Sequence, residues 1–475
     1  MSVAARRAGP GWCAAGGAAR AAGCGRRRLW DAIITVMVTG TSLSGVFPLG
    51  SRLNERGRLE VGGCDAIELA REFGTPLYAV AEDDLRARAR AFVQAGADAG
   101  HEDFHVVFAS KAFPCTAVLE LFAQEGLWCD VASGGELHLA RAAGFPAERI
   151  VMHGNAKSEA ELRAALELGV GLIVVDNFDE IERLARLVPE RAADRDGVID
   201  EQAVLVRVTP DVRGETHEKI STGQADSKFG FAVGQAGEAL ARLAQIPGVW
   251  VRGLHAHIGS QLLELRPFRR EVEELAALGE FPVWDLGGGL GVRYTEAQEQ
   301  PPAIEEYVGA LVAAAHEHAM AGSRLLIEPG RALCANACVT LYEVQSVKQN
   351  VSRWVAVDGG MSDNLRPMLY GAPYEAHVAD RFPSPDSPAR RGGSTRCVLA
   401  GKHCESGDVI VAEALLDDPR PGDVIVTPAT GAYGYAMANN YNGVPRPAVV
   451  FCHDGEARVV VRRETYEDLT ARDVR

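Results

Sequence analysis

The segment His105-Val-Val-Phe-Ala-Ser-Lys-Ala-Phe113 decides the fold. Its apolar run is rich in valine, too short for a buried helix, and ends in a lysine, the pattern of a strand inside a parallel sheet. Seven runs of the same kind follow: Trp128–Ala132, Ile150–His153, Leu172–Asp176, Ala203–Val208, Val251–His257, Val283–Leu286 and Leu325–Glu328. Amphipathic stretches lie between them, as at Ala117–Gln124, Glu136–Ala143, Glu159–Leu168 and Ile304–His318, where apolar residues recur at three and four. Eight strands joined by crossover helices close a barrel, so the spacing predicts an α/β fold built on a (β/α)8, TIM-like barrel.

Beyond Arg331 the rhythm changes. Strand-like runs at Trp354–Val357, Asp408–Val411, Asp423–Thr427, Ala448–Cys452 and Arg458–Val461 are separated by Gly, Pro and Asp turns, with few long helices. This predicts a β-rich segment. Phe382–Ser394, with three Pro, three Ser and a Gly pair, reads as a surface loop within it.

At 475 residues, 47% hydrophobic and 24% charged, the composition excludes disordered, collagen-like and disulfide-scaffold chains. A net charge of −15 argues against a general nucleic-acid or anionic-membrane surface, so an anionic ligand must be held by a local arrangement. Residues 1–36 are foreign to the rest, with six Arg and one acid, which leaves about −20 on the remainder. Basic residues precede the apolar stretch Ala32–Val38 as in a targeting segment, but Asp31 interrupts the pattern and no clear cleavage site follows. The alternative, that Met37 is the true start and residues 1–36 are a non-native or disordered leader, fits the composition better. Ten scattered cysteines without a CxxC pair or zinc-like spacing suggest a reducing, cytoplasmic setting, with Cys334 and Cys338 as small apolar fillers.

In such barrels the chemistry sits at the C-terminal ends of the strands. There the sequence places Ser110-Lys111, Asp130-Val-Ala-Ser-Gly-Gly-Glu136, His153-Gly-Asn155, His255-Ala-His-Ile-Gly-Ser260, Asp285-Leu-Gly-Gly-Gly-Leu-Gly291 and Glu328-Pro-Gly-Arg331. A lysine after a buried strand is either a solvent-facing cap or a nucleophile that needs desolvation. The glycine run is either a tight turn or a cradle whose amides approach an anion, and Arg331 is a bidentate donor suited to phosphate or carboxylate. His255 and His257 share a strand face, but further metal ligands are not evident, and no metal is expected.

Taken together these motifs resemble the fold-type III PLP-dependent decarboxylases, the family with an alanine-racemase-like barrel. The resemblance runs from about Phe47 to the C-terminus and rests on Phe108-Ala-Ser-Lys-Ala-Phe113, Asp130–Leu137, His153-Gly-Asn-Ala-Lys-Ser158, Lys228-Phe-Gly-Phe231, His255–Gln261, Glu328-Pro-Gly-Arg331, Cys404-Glu-Ser406 and Gly431-Ala-Tyr433. Phe108 stands where the family usually has Tyr. The resemblance implies that Lys111 carries pyridoxal 5′-phosphate, that Glu328 pairs with its ring nitrogen and that His257 stacks on the ring. It implies a phosphate held by Gly288, Gly289, Ser260, Arg331 and Tyr433. It is closest to the members acting on meso-2,6-diaminopimelate, with L-lysine and CO2 as products in the last step of lysine biosynthesis. Ornithine, arginine, lysine or carboxynorspermidine would be the alternative substrates. Arg331, Arg366, Tyr370 and Tyr433 would meet the substrate, Glu405 its distal ammonium, and Cys404 would donate the proton to the α-carbon from the partner subunit of a homodimer. The implied layout has residues 37–85 and 337–475 in one β domain around a barrel at 86–336.

Overall fold

The computed structural model describes residues 43–194, 201–212, 227–382 and 394–474. The leader and the Met37 start, together with most of the loop expected at Phe382–Ser394, lie outside the described residues. All eight expected barrel strands are present: β1 (Phe104–Ala109), β2 (Trp128–Val131), β3 (Ile150–Met152), β4 (Leu172–Val175), β5 (Gln202–Thr209), β6 (Val249–His255), β7 (Val283–Asp285) and β8 (Arg324–Ile327). Each pairs in parallel with the next, and β8 closes on β1 through Leu325 opposite Phe104. The barrel is complete.

The helices between strands start and stop where the sequence dictates. Glu159–Leu168 begins at Ser158, whose hydroxyl accepts from the Glu161 amide while the Glu161 carboxylate accepts from Ser158, and it ends at Gly169 with φ +74°. That is a capping box followed by a glycine stop. Gly253 lies at an irregularity of β6, where a Cβ would meet the Val283 carbonyl oxygen at 1.8 Å, so only glycine lets β7 approach.

Strand alternation then sorts the barrel into two zones. Val107, Trp128, Val151, Val174, Leu205, Val283 and Leu326 form one buried apolar cluster inside it. Two residues further along each strand, on the same face, stand Ala109, Asp130, His153, Asp176, Arg207, Asp285 and Glu328, all buried. An apolar plug therefore carries a ring of ionisable groups at the barrel's C-terminal mouth.

The second sheet is built from both ends of the chain. Leu77–Ala81 lies between Cys338–Gln349, to which it is antiparallel, and Ala448–His453, to which it is parallel. Arg353–Val357, Ser394–Ala400 and Val409–Asp417 extend one side, and Glu456–Val461 closes the other. The five runs expected from sequence are all strands here. Sequence reading missed the longest of them, the 12-residue Cys338–Gln349, because its outer half is exposed and polar and carries no apolar run. Cys334 and Cys338 are buried free thiols, the fillers expected of them.

Candidate active site

One cavity of about 230 Å³ opens at the barrel mouth. Nine of the twelve residues expected at the site line it: Lys111, His257, Ser260, Gly289, Glu328, Arg331, Arg366, Tyr370 and Tyr433. Gly288 lies beside it, its amide donating to Nδ1 of His257 at 3.1 Å. Cys404 and Glu405 do not join the cavity; both are exposed, on a loop tied down by the Cys404 amide to Asn442 at 3.0 Å.

At the floor, Glu328 is gripped from two sides. Nε2 of His153 lies 2.7 Å from one of its oxygens and Nε2 of His255 lies 3.2 Å from the other. Burial alone favours the neutral acid, yet His153 and then His255 reverse this and hold the Glu328 carboxyl well below the usual carboxylate range. Burial pushes His255 down to about 4, so at neutral pH it is an uncharged ring whose Nε2–H donates to the carboxylate. His153, His255, Asp285 and Glu328 each place one ligand atom within 4.8 Å of the others, so carboxylates do stand near His255. His257 is not among them and faces the cavity instead.

Lys111 follows β1 in a short 3-10 turn, Ser110–Ala112, and its side chain is exposed to the cavity it lines. Burial works to lower its pKa, but Asp130 foremost, then Tyr433 and Glu328, outweigh it and hold the group above its ordinary value. The resting amine is a cation inside an acidic ring.

At the opposite wall the cations gather. Arg331 donates from Nη2 to Ser260 Oγ at 2.9 Å and from Nη1 to the Tyr294 hydroxyl, and its guanidinium sits 4.8 Å from the centre of the Tyr433 ring. Arg366, buried at 5% exposure, donates to the Tyr374 hydroxyl and lies 4.2 Å over the Tyr294 ring. Among the described residues neither guanidinium makes an ion pair with a carboxylate. Tyr433 holds φ +63°, an unusual backbone state for a side chain of that size, pinned by its amide to the Ala112 carbonyl at 2.9 Å. The glycine loop allows no side chain, since a Cβ at Gly288 would meet the Glu328 carbonyl oxygen at 2.1 Å and one at Gly289 the Gly259 oxygen at 2.5 Å.

Four groups that matter to this geometry escaped the sequence reading as site residues: Arg207, which lines the cavity, His153, Tyr294 and Tyr374. Strand parity would have found Arg207 and His153, each two residues past an inward apolar side chain. The tyrosines carried no local signal.

An amine beneath a cationic wall, with an anion at the floor, fits a phosphate at one end of a ring and a protonated ring nitrogen at the other. The fold and this site define a pyridoxal-dependent decarboxylase of the barrel class. A family model described as the pyridoxal-binding domain of pyridoxal-dependent decarboxylases matches residues 82–335. Among curated relatives, the chain is 46% identical to the diaminopimelate decarboxylase of Bacillus subtilis, over 89% of this chain and 97% of that one. It is 47% identical to that of Actinosynnema pretiosum, over 91% and 96%. A crystal structure of the M. jannaschii diaminopimelate decarboxylase in complex with L-lysine superposes with a TM-score of 0.80 at 33% identity, covering 89% of this chain and 97% of that one. The chain belongs to the diaminopimelate decarboxylase family.

Proposed function

We propose that this chain converts meso-2,6-diaminopimelate to L-lysine and CO2, the last step of lysine biosynthesis, with pyridoxal 5′-phosphate held on Lys111. The observation that carries the reading is the pair of cavity-lining guanidiniums, Arg331 and Arg366, without a carboxylate partner among the described residues. A buried cation is costly unless it meets an anion. The phosphate of the cofactor would answer Arg331, and a distal carboxylate on the substrate would answer Arg366 and reach Arg331 as well. Ornithine, arginine or lysine would leave Arg366 unanswered.

The bound group supplies an electron sink for the pair left behind when CO2 departs. The chain supplies placement. Glu328, held anionic by its two histidines, would pair with the ring nitrogen, and His257 would stack on the ring. Gly288, Gly289, Ser260, Arg331 and Tyr433 would hold the phosphate. Arg331, Arg366, Tyr370 and Tyr433 meet the substrate, with the bidentate guanidiniums and Tyr370 directed to its distal carboxylate.

Cys404 and Glu405 belong to this reading through a second subunit. Their exposure and their absence from the cavity lining support a C2 homodimer in which Cys404 of the partner subunit delivers a proton to the α-carbon and Glu405 of the partner subunit takes the distal ammonium. The domain division at residues 86 and 336 is supported by the insertion of Leu77–Ala81 between two C-terminal strands. Free thiols at all eight described cysteines support a reducing cytoplasm, and no helix among the described residues is long and apolar enough to cross a membrane.

Lysine released from meso-diaminopimelate by yellow, borohydride-bleachable protein tests the reaction. Lys111→Ala protein that keeps both colour and CO2 release refutes the assignment. Mixing inactive Lys111→Ala and Cys404→Ala homodimers tests the shared site: random exchange leaves about a quarter of the sites intact. No recovered activity would show that Lys111 and Cys404 act within one chain.

A further inference from the structure

Two buried phenols stand behind the arginines of the proposed site. Tyr294 and Tyr374 expose only 1% and 4% of their surface, and neither lines the cavity. Tyr294 accepts a hydrogen bond from Arg331 and Tyr374 accepts one from Arg366. The two rings meet edge to face, with centroids 5.2 Å apart at 67°. Tyr294 also lies under the Arg366 guanidinium, at 4.2 Å, so one ring contacts both cations. The four side chains form a single plate.

The chemistry of the plate is selective. Beyond burial, the influences on Arg366 come from Tyr294, Tyr374 and Tyr433. Burial pushes the Tyr374 phenol up to about 12, so it stays a neutral acceptor at neutral pH. A carboxylate in its place would orient the guanidinium equally well, but it would cancel the charge that an incoming anion must feel. A phenol orients without neutralising, and its ring face adds cation–π attraction. A free arginine loses rotamer freedom when it is fixed, and here that loss is taken on folding and not on binding.

We propose that Tyr294 and Tyr374 are positioning residues that set the preference for a substrate with a distal carboxylate, by holding Arg331 and Arg366 oriented and uncompensated. This rests on the reading of the two arginines as substrate ligands, and the test separates the two claims. Tyr374→Phe and Tyr294→Phe keep the rings and remove only the acceptors. In the holoenzyme, KM for meso-diaminopimelate rises about tenfold in each, from loss of one hydrogen bond to a charged group. Turnover stays within about threefold, and so does the bound cofactor measured by absorbance. The inhibition constant of 1,5-diaminopentane, which is L-lysine without the carboxylate that remains at the distal end, moves less than about twofold, whereas that of L-lysine, which keeps it, rises with KM.

Arg366→Ala is the control for the underlying reading. It raises KM for meso-diaminopimelate about a hundredfold while the cofactor stays bound. An unchanged KM there refutes Arg366 as a ligand. A large Arg366→Ala effect with both Phe variants within about twofold of the parent overturns the positioning role alone. Phe variants that weaken 1,5-diaminopentane and diaminopimelate equally reveal a packing role and overturn it too.

Discussion

Glu271 lies on the helix Arg266–Ala276, is 0% exposed, and has no hydrogen-bond partner for either carboxylate oxygen among the described residues. The Tyr307 hydroxyl is likewise buried and unpartnered. Burial above all, then Glu328, pushes the Glu271 carboxyl well above its usual range. Replacing it with Leu, of similar size, removes a buried polar group that costs about 1–3 kcal/mol when unpaired, so Glu271→Leu is expected to be more stable by about that amount. The gain depends on pH, and its sign is fixed. Below about pH 4 both folded and unfolded chains are protonated at this site, and it contributes no slope. As pH rises, the unfolded chain releases the proton while the folded one retains it, so the parent loses up to about 1.4 kcal/mol per pH unit until the raised folded pKa is passed. The variant lacks that slope. Urea denaturation of holoenzyme at pH 5.5 and 8.0, at one protein concentration, reads both quantities. A variant less stable than the parent, or one whose advantage shrinks toward pH 8.0, would refute the reasoning.

Glu328→Gln removes the anion that His153 and His255 hold, and turnover is expected to fall at least about a hundredfold while the chain still folds and keeps its far-ultraviolet dichroism; turnover within about twofold of the parent would exclude Glu328 from the chemistry. Gly288→Ala drives a Cβ into the Glu328 carbonyl oxygen, where 2.1 Å is available, and the strain of about 1–3 kcal/mol should appear as weaker cofactor retention on dialysis. Arg207→Met leaves Asp176, 3.9 Å away, without its cation, and thermal stability of the apoenzyme should fall by several degrees.

The barrel was legible because each of its strands obeys a local rule. A parallel strand buried on both faces reads as a short apolar run, and the residue that follows it is polar only where it meets the mouth. Lys111, Glu328 and Arg331 could therefore be placed from sequence spacing. Arg366 was different. Alone, it reads as a surface arginine, and only the motif around it suggested otherwise; the structure buries it against Tyr294 and Tyr374, 72 and 8 positions away. Cation–π and phenol contacts of that kind leave no periodic trace. The grip of His153 and His255 on Glu328 was hidden for a related reason: the three residues come from the ends of three different strands and meet only when the barrel closes.

The site draws on two bodies of structure with different dependence on chain connectivity. Lys111, His257, Ser260, Glu328 and Arg331 stand at barrel strand ends, within the 82–335 span that the family model matches. Arg366, Tyr370 and Tyr433 come from the segments between strands of the second sheet. That sheet has Leu77–Ala81 at its middle, pairing on one side through Thr340 opposite Tyr78 and on the other through Val449 opposite Tyr78. Tyr78 in turn donates its hydroxyl to the Asp363 carbonyl, three residues before Arg366. One N-terminal strand therefore supports the arginine that the proposed reading turns toward the substrate. The strand-end residues of the proposed site follow from closing a barrel, whereas Arg366, which the proposal turns toward the substrate, rests on a contact between residues more than 280 positions apart. In an acidic chain of net charge −15, the anion site proposed here would stand where the two bodies meet, on arginines fixed by phenols and not by acids.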